Sequence, residues 1–133
     1  MSQSAEIKYV SENEIWIGSN KVMVEGYTIH LIAQGEQTTE MAHAHLKLNQ
    51  KLFSSMEGKV NFLIDLNKAG KNSPEARQIW VQHGKLEKTS KIALLGIHPV
   101  ARVLASFVMG INKPNNVCFF SSEEEAVKWL KQS

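Results

Sequence analysis

The sequence predicts a mixed-sheet α/β domain, in which an N-terminal β-meander is followed by βαβ units with about four helices. Short β-prone runs fill the first third of the chain, and strongly apolar runs alternate with amphipathic segments over the rest. The 133 residues suit one domain over 1–133 and leave little room for a second. Hydrophobic residues make up 43% of the chain and charged residues 21%, which is typical of a globular protein and not of a disordered one.

The meander is predicted from short β-prone segments at 7–10, 14–17, 22–24 and 27–33. Ser-Glu-Asn and Gly-Ser-Asn turn sequences separate the first three of them. An antiparallel arrangement with one face on the core is expected.

A first helix is expected over 39–56. Its apolar stripe follows helical spacing and consists of Met41, His45, Leu48, Leu52 and Met56. Gly58 is well placed to end the helix.

Buried strands are expected at 60–66, 91–97 and 117–120, because their near-continuous apolar character suits central parallel strands. Residues 67–72 are rich in Lys, Gly and Asn and predict a loop. Successive βαβ units cross over right-handed onto a parallel sheet.

Two further helices have recognisable N-termini. Ser73 is a good N-cap for the first, Pro74 suits its first position, and Glu75 complements the helix dipole. The inner face of this helix is expected to consist of Ile79, Trp80, His83 and Leu86. Ser122 and Glu125 form a capping box for a final helix over 123–131.

The helix expected over 99–111 is too apolar to face water unaided. Only Arg102, Ser106 and Gly110 form a narrow polar or small stripe, at i, i+4 and i+8. We expect a contact beyond the monomer core, with a homodimer favoured over an apolar ligand or peripheral membrane contact. Burial within the domain remains the alternative. The candidate contact residues are Arg102, Val103, Ser106, Phe107, Met109 and Gly110.

Composition argues against several function classes. The net charge is +2 and the basic residues are scattered, so nucleic acid is not an expected partner. The single cysteine, Cys118, cannot form an internal disulfide and is expected to be a small buried hydrophobic residue. The N-terminus lacks an apolar signal region, and no apolar stretch reaches the ~20 residues that span a bilayer. A cytoplasmic location is therefore expected.

No catalytic or metal-binding constellation stands out. His43 and His45 point to different faces of their helix, and no other histidines have ligand-like spacing, so no metal or other cofactor is expected. Asp65 lies near the C-terminal end of a central strand, where ligands of open α/β sheets gather. Hydrogen bonding at the turn that leaves the strand also explains an aspartate at this position. An enzyme would require Asp65 and a histidine to converge with a nucleophile.

Three pieces of the sequence resemble a known superfamily. They are FLIDL (62–66) with its loop and SPEAR (73–77), KIALLGI (91–97) followed by PVARVLASFVMGI (99–111), and VCFFSSEEEAVKWL (117–130). Their order resembles the STAS superfamily, the SpoIIAA-like fold of anti-sigma-factor antagonists. The final third is also similar to small bacterial proteins described as STAS/SEC14-like.

The resemblance implies a non-enzymatic regulatory or protein-interaction domain. In STAS antagonists a partner kinase phosphorylates a serine at the start of the helix after the central strand, and Ser73 occupies the nearest position. The family's Asp-Ser-Ser-Gly-like run is replaced by Asn-Ser-Pro-Glu at 72–75. Pro74 removes an N–H and Glu75 repels a phosphate, so the helix-cap interpretation of Ser73 is favoured.

The domain would present the segment 68–73 and the helix 99–111 to partners. The interaction or ligand candidates outside that helix are Asp65, Lys68, Lys71 and Asn72. SEC14-like and CRAL-TRIO proteins have a related sheet, which implies the alternative of a lipid or other apolar small molecule bound between sheet and helices.

Overall fold

The computed structural model describes residues 6–99, 102–103 and 116–132. Its centre is a seven-stranded sheet whose strands lie side by side in chain order. The antiparallel part consists of β1 (Ile7–Tyr9), β2 (Glu14–Ile17), β3 (Asn20–Glu25) and β4 (Thr28–Gln37). The predicted meander is therefore confirmed.

Three further strands extend the sheet in parallel from β4. They are β5 (Val60–Asn72), β6 (Thr89–Leu95) and β7 (Val117–Phe120). Helices α1 (Thr39–Ser54) and α2 (Pro74–Gly84) connect these strands and pack on one face of the sheet, and α3 (Glu123–Lys131) packs on the other. The mixed-sheet α/β class is confirmed.

The helix expected over 99–111 lies mostly outside the described residues. Of that segment, Pro99, Arg102 and Val103 are described and helical, and the Arg102 N–H donates to the His98 carbonyl at 3.3 Å. The candidates Ser106, Phe107, Met109 and Gly110 lie outside the described residues. The described part of the chain thus holds three complete helices, against the four or so expected.

Helix α1 ends earlier than its apolar stripe suggested. It begins at the cap Thr38, whose hydroxyl accepts from the Met41 N–H at 3.1 Å. It ends at Ser54 rather than residue 56, with Ser55 as the C-cap. The ammonium of Lys88 donates to the carbonyls of Phe53 and Met56, which satisfies groups that the helix end leaves without partners.

The prediction of a loop at 67–72 is wrong, because β5 continues through these residues to Asn72. After a register shift, Gln34 pairs with Lys68 and Gly35 with Ala69. The two backbones come close here: a Cβ at Gly70 would lie 3.1 Å from the Gly35 carbonyl. Gly35 itself has a φ of 71°, which favours glycine. The glycines therefore permit an irregular parallel pairing where the composition suggested a loop.

The core divides between the two faces of the sheet. The larger cluster packs under α1 and α2, and its most deeply buried members include Ile15, Ile17, Val22, Ile29, Leu48, Val60, Ala76, Ile92 and Leu94. The smaller cluster packs under α3 and consists of Leu63, Ala93, Leu95, Ala126 and Leu130.

Candidate functional site

An open cleft of about 460 Å³ lies where the C-terminal ends of β4 and β5 meet the first turns of α1 and α2. Ligands of α/β sheets gather at this end of the strands. All of its lining residues except Pro74 have polar or charged side chains; the lining consists of Glu36, Gln37, Thr38, Thr39, Glu40, Lys71, Asn72, Ser73, Pro74 and Arg77. It is termed the polar cleft below.

Hydroxyl groups hold the two helix starts together in this cleft. Ser73 caps α2 as predicted, since its hydroxyl accepts from the Ala76 N–H at 3.1 Å. The same hydroxyl lies 2.6 Å from that of Thr39, at the start of α1. The Ser73 N–H donates to the Gln37 carbonyl at 3.3 Å, which also ties β4 to the start of α2.

Asn72 and Gln37 are the buried polar residues among those that line the cleft. The two differ in how their side chains are paired, and Asn72 is the less satisfied. It is only 9% exposed, and its Oδ1 has no hydrogen-bond partner. The buried amides nearby are satisfied: Asn20 and Gln37 exchange hydrogen bonds of 2.8 and 3.0 Å, and Asn20 also contacts His45 at 2.9 Å. Asn72 therefore differs from its neighbours in offering an acceptor that no protein group uses.

Charges of both signs surround Asn72 and Ser73. Lys71 is exposed, and the half-buried Arg77 directs a guanidinium nitrogen towards the Asn72 carbonyl at 3.5 Å. Glu36 and Glu40 are exposed on the same cleft. The lining of the cleft can therefore contact both positively and negatively charged groups of a binding partner.

A separate apolar cavity lies between the sheet and α2. It is lined by Leu31, Ala33, Gln37, Ile64, Leu66, Asn72 and Trp80. Its volume of about 20 Å³ holds roughly one water molecule and no lipid chain. Asn72 and Gln37 line both this cavity and the polar cleft.

Two buried histidines contact Trp80, which lines this cavity. The ring of His45 lies 5.1 Å from Trp80, and that of His83 stacks on Trp80 at 4.5 Å. Burial, followed by repulsion from His83, lowers the pKa of His45 to about 3. Burial also lowers the pKa of His83 to about 4, against the opposing effect of its hydrogen bond to the Ile79 carbonyl at 3.0 Å. Both imidazoles are therefore neutral at pH 7.

The structure gathers only some of the predicted site residues. Lys71, Asn72 and Ser73 line the polar cleft, whereas Lys68 is exposed earlier on β5 and is not part of its lining. Asp65 makes a local contact within β5, at the register shift against β4: its carboxylate accepts from the Asn67 N–H at 2.9 Å.

Of the helical candidates, Arg102 lies over the Phe119 ring at 5.0 Å. Val103 is 54% exposed.

Sequence reasoning missed the contribution of α1 to the cleft. Thr38, Thr39 and Glu40 carry the signal that could have found it, because a threonine cap followed by an acidic first turn marks a helix N-terminus. Arg77 carries no comparable signal, since its approach to the cleft depends on the geometry of α2.

The described ranges 6–99, 102–103 and 116–132 contain neither a candidate metal site nor a candidate membrane-spanning helix. Within them, no three His, Cys, Asp or Glu side chains lie close enough together to hold a metal ion. Among the helices of this part of the chain, none is long and apolar enough to cross a membrane.

A model of the family described as Domain of unknown function (DUF7793) matches residues 22–133. The chain belongs to the DUF7793 family. No curated protein matches it.

Solved structures similar to this DUF7793 chain share its fold. One is an uncharacterized protein of the DUF3478 family with a SpoIIAA-like fold from Shewanella loihica PV-4, at 18% identity, a TM-score of 0.65, and coverage of 92% of this chain and 98% of that one. Another is the anti-sigma factor antagonist SpoIIAA in its unphosphorylated form, at 15% identity, a TM-score of 0.59, and coverage of 86% and 100%. The predicted STAS/SpoIIAA-like fold is confirmed.

Proposed function

We propose that this chain is a non-enzymatic regulatory or protein-interaction domain that contacts its partner through the rim of the polar cleft. One observation carries the proposal. Exposed charges of both signs, Lys71, Glu36 and Glu40, surround the helix cap Ser73 at the end of the central strand. The resemblance to anti-sigma-factor antagonists implies that a regulatory serine would lie at this position.

Ser73 acts in this proposal mainly as a structural cap. Its hydroxyl already accepts from Ala76 and contacts Thr39, and Pro74 supplies no N–H for a phosphate. Recognition therefore depends on the shape and charge of the rim rather than on modification of Ser73.

A second contact surface is proposed around the start of the helix expected over 99–111. Ile97 is 67% exposed and Val103 is 54% exposed, so both side chains are accessible to a partner's apolar surface. They support the expectation of a homodimer contact, and a cytoplasmic location belongs to the same proposal. The apolar cavity behind Asn72, at about 20 Å³, is too small for a lipid chain.

Affinity capture with the full chain tests the proposal. The wild type should retain one partner that Lys71→Glu loses, because charge reversal changes the rim and not the core. Lys47→Glu is the matched control, since Lys47 is an exposed lysine on α1 outside the polar cleft. Capture of no partner, or equal capture by all three proteins, would contradict the proposal.

A further inference from the structure

We propose that Asn20 is a positioning residue of the polar cleft, which acts through Gln37 to fix the C-terminal end of β4. Asn20 is fully buried at the start of β3, and it lies outside the lining of the cleft. Its role rests on the partner recognition proposed above, because the end of β4 forms one side of the rim. The same hydrogen bonds also dictate the tautomer of His45, which can be measured without any partner.

The end of β4 needs side-chain partners because its pairing with β5 is irregular. Register shifts occur between Ile32 and Gln34 and between Gly35 and Gln37. Such shifts leave backbone groups outside the regular ladder, and buried groups must then find other partners. The Gln34 N–H donates to the Asn20 Oδ1 at 2.9 Å. The Gln37 Nε2 donates to the carbonyls of Gln34 and Gly35 at 3.2 and 3.0 Å.

These backbone groups fix the orientation of both side-chain amides. A backbone N–H only donates, so the oxygen of Asn20 must face Gln34. A backbone carbonyl only accepts, so the nitrogen of Gln37 must face the two carbonyls. In these orientations the amides of Asn20 and Gln37 exchange hydrogen bonds of 2.8 and 3.0 Å. Asn20 therefore holds the Gln37 side chain in a single arrangement.

Gln37 transmits this arrangement to the cleft. It is 3% exposed and belongs to the lining. Its carbonyl accepts from the Ser73 N–H at 3.3 Å, and it lies opposite Asn72 in the register of β4 and β5. A shift of Gln37 would move the β4 side of the rim relative to the β5 side. Supporting residues of this kind hold a binding site to within about 0.5 Å.

The tautomer of His45 follows from the same network. The Asn20 Nδ2 lies 2.9 Å from the His45 Nε2. Because the oxygen of Asn20 must face the Gln34 N–H, this nitrogen is the donor towards the ring. The His45 Nε2 must therefore accept, and the proton of the neutral ring lies on Nδ1.

NMR of the full chain at pH 7 tests this arrangement, because long-range ¹H–¹⁵N spectra identify the tautomer of a histidine. The wild type should show His45 with its proton on Nδ1. Asn20→Asp replaces the donor by an acceptor, so it should move that proton to Nε2 and shift the amide signals of Gln37 and Ser73. Val22→Ala is the matched control, since Val22 is buried on the same strand but takes no part in these hydrogen bonds, and it should leave the tautomer unchanged. A proton on Nε2 in the wild type would overturn the inference, whether or not Asn20→Asp folds.

Affinity capture tests the link to recognition. Asn20→Leu removes the amide but retains every charge of the rim, and it should weaken partner binding about tenfold because Gln37 is no longer held. Val22→Ala should bind the partner as the wild type does. If Lys71→Glu loses the partner while Asn20→Leu retains it, the positioning role is wrong and the proposed function stands. If none of the proteins captures a partner while the NMR results are as expected, the proposed function is wrong and the control of Gln37 by Asn20 stands.

Discussion

The two faces of the sheet are covered very differently. Under α1 and α2, which have 16 and 11 residues, side chains from all of β2 to β7 pack into one cluster. On the other face, α3 has nine residues and covers mainly β6, with parts of β5 and β7. The outer positions of the meander stay half-buried, as at Trp16, Met23 and Ile32. Most of the stabilising burial therefore lies on the α1/α2 face.

Polar groups differ between the faces as well. The α1/α2 face encloses His45 and His83, which are 2% and 3% exposed. On the α3 face, Lys91 donates to the carbonyls of Trp129 and Gln132 at 2.9 and 2.6 Å, and its charge stays near the surface. The α1/α2 face should therefore respond to acid and to truncation more strongly than the α3 face.

The largest expected effect is the acid response of the α1/α2 face. Both buried histidines have a pKa lowered from 6.5, to about 3 for His45 and about 4 for His83. The unfolded chain therefore binds more protons below pH 6.5, and stability falls as the pH decreases towards those values. Between pH 7 and pH 5 we expect a loss of about 2 kcal/mol for each histidine, measured by urea unfolding.

Substitutions separate this effect from other titrations. His83→Phe retains a ring against Trp80 and should remove about half of the loss between pH 7 and pH 5. His43→Gln is the control, because His43 is an exposed histidine on α1 and should leave the loss unchanged. An unaltered acid response in His83→Phe would show that His83 ionises normally in the folded protein.

Truncation of buried leucines compares the two cores directly. Leu48, on α1, is 1% exposed, and Leu130, on α3, is 6% exposed in the smaller cluster near the chain end. Leu48→Ala should lower the free energy of unfolding by about 4 kcal/mol and Leu130→Ala by about 2 kcal/mol. Chemical denaturation measures both values. An equal loss of unfolding free energy in Leu130→Ala and Leu48→Ala would contradict the expected difference between the two faces.

Two lysines near the start of β6 provide a smaller test, since each caps a helix on a different face. Lys88 donates to the Phe53 carbonyl at 2.6 Å at the end of α1, and Lys91 donates to Trp129 at the end of α3. Methionine at either position retains much of the apolar stem and removes the charge. We expect a loss of about 1–2 kcal/mol for Lys88→Met and about 1 kcal/mol for Lys91→Met in thermal unfolding. A larger stability loss for Lys91→Met than for Lys88→Met would mean that the end of α3 depends more on its lysine cap than the end of α1 does.

The helix caps should give the smallest effects. The Ser73 hydroxyl has two partners, Ala76 and Thr39, whereas Ser122 accepts from Glu125 at 3.4 Å in an exposed setting. Ser73→Ala should cost about 1 kcal/mol and Ser122→Ala about 0.5 kcal/mol. Threonine at each position is the control and should restore most of the stability. Equal losses for the two alanine variants would contradict the role of the Thr39 contact.

Most of the element order was predictable from the sequence. The local signals are the strand alternation, the apolar runs at 60–66 and 91–97, and the caps Ser73 and Ser122. They depend on interactions within a few residues, and the structure confirms the strands, the caps and the SpoIIAA-like class. The site was predicted only in part: Lys71, Asn72 and Ser73 line the polar cleft, but Asp65 and Lys68 do not.

Tertiary structure decided the rest. The extension of β5 to Asn72 depends on pairing with β4 more than 30 residues earlier, across a close approach of Gly35 and Gly70. The Thr39–Ser73 contact joins two helix starts separated by 34 residues. Such contacts arise only when distant segments are brought together by the sheet, so no local pattern contains them. Local patterns located most of the strands and helices, whereas packing extended β5 to Asn72 and brought the starts of α1 and α2 to one cleft.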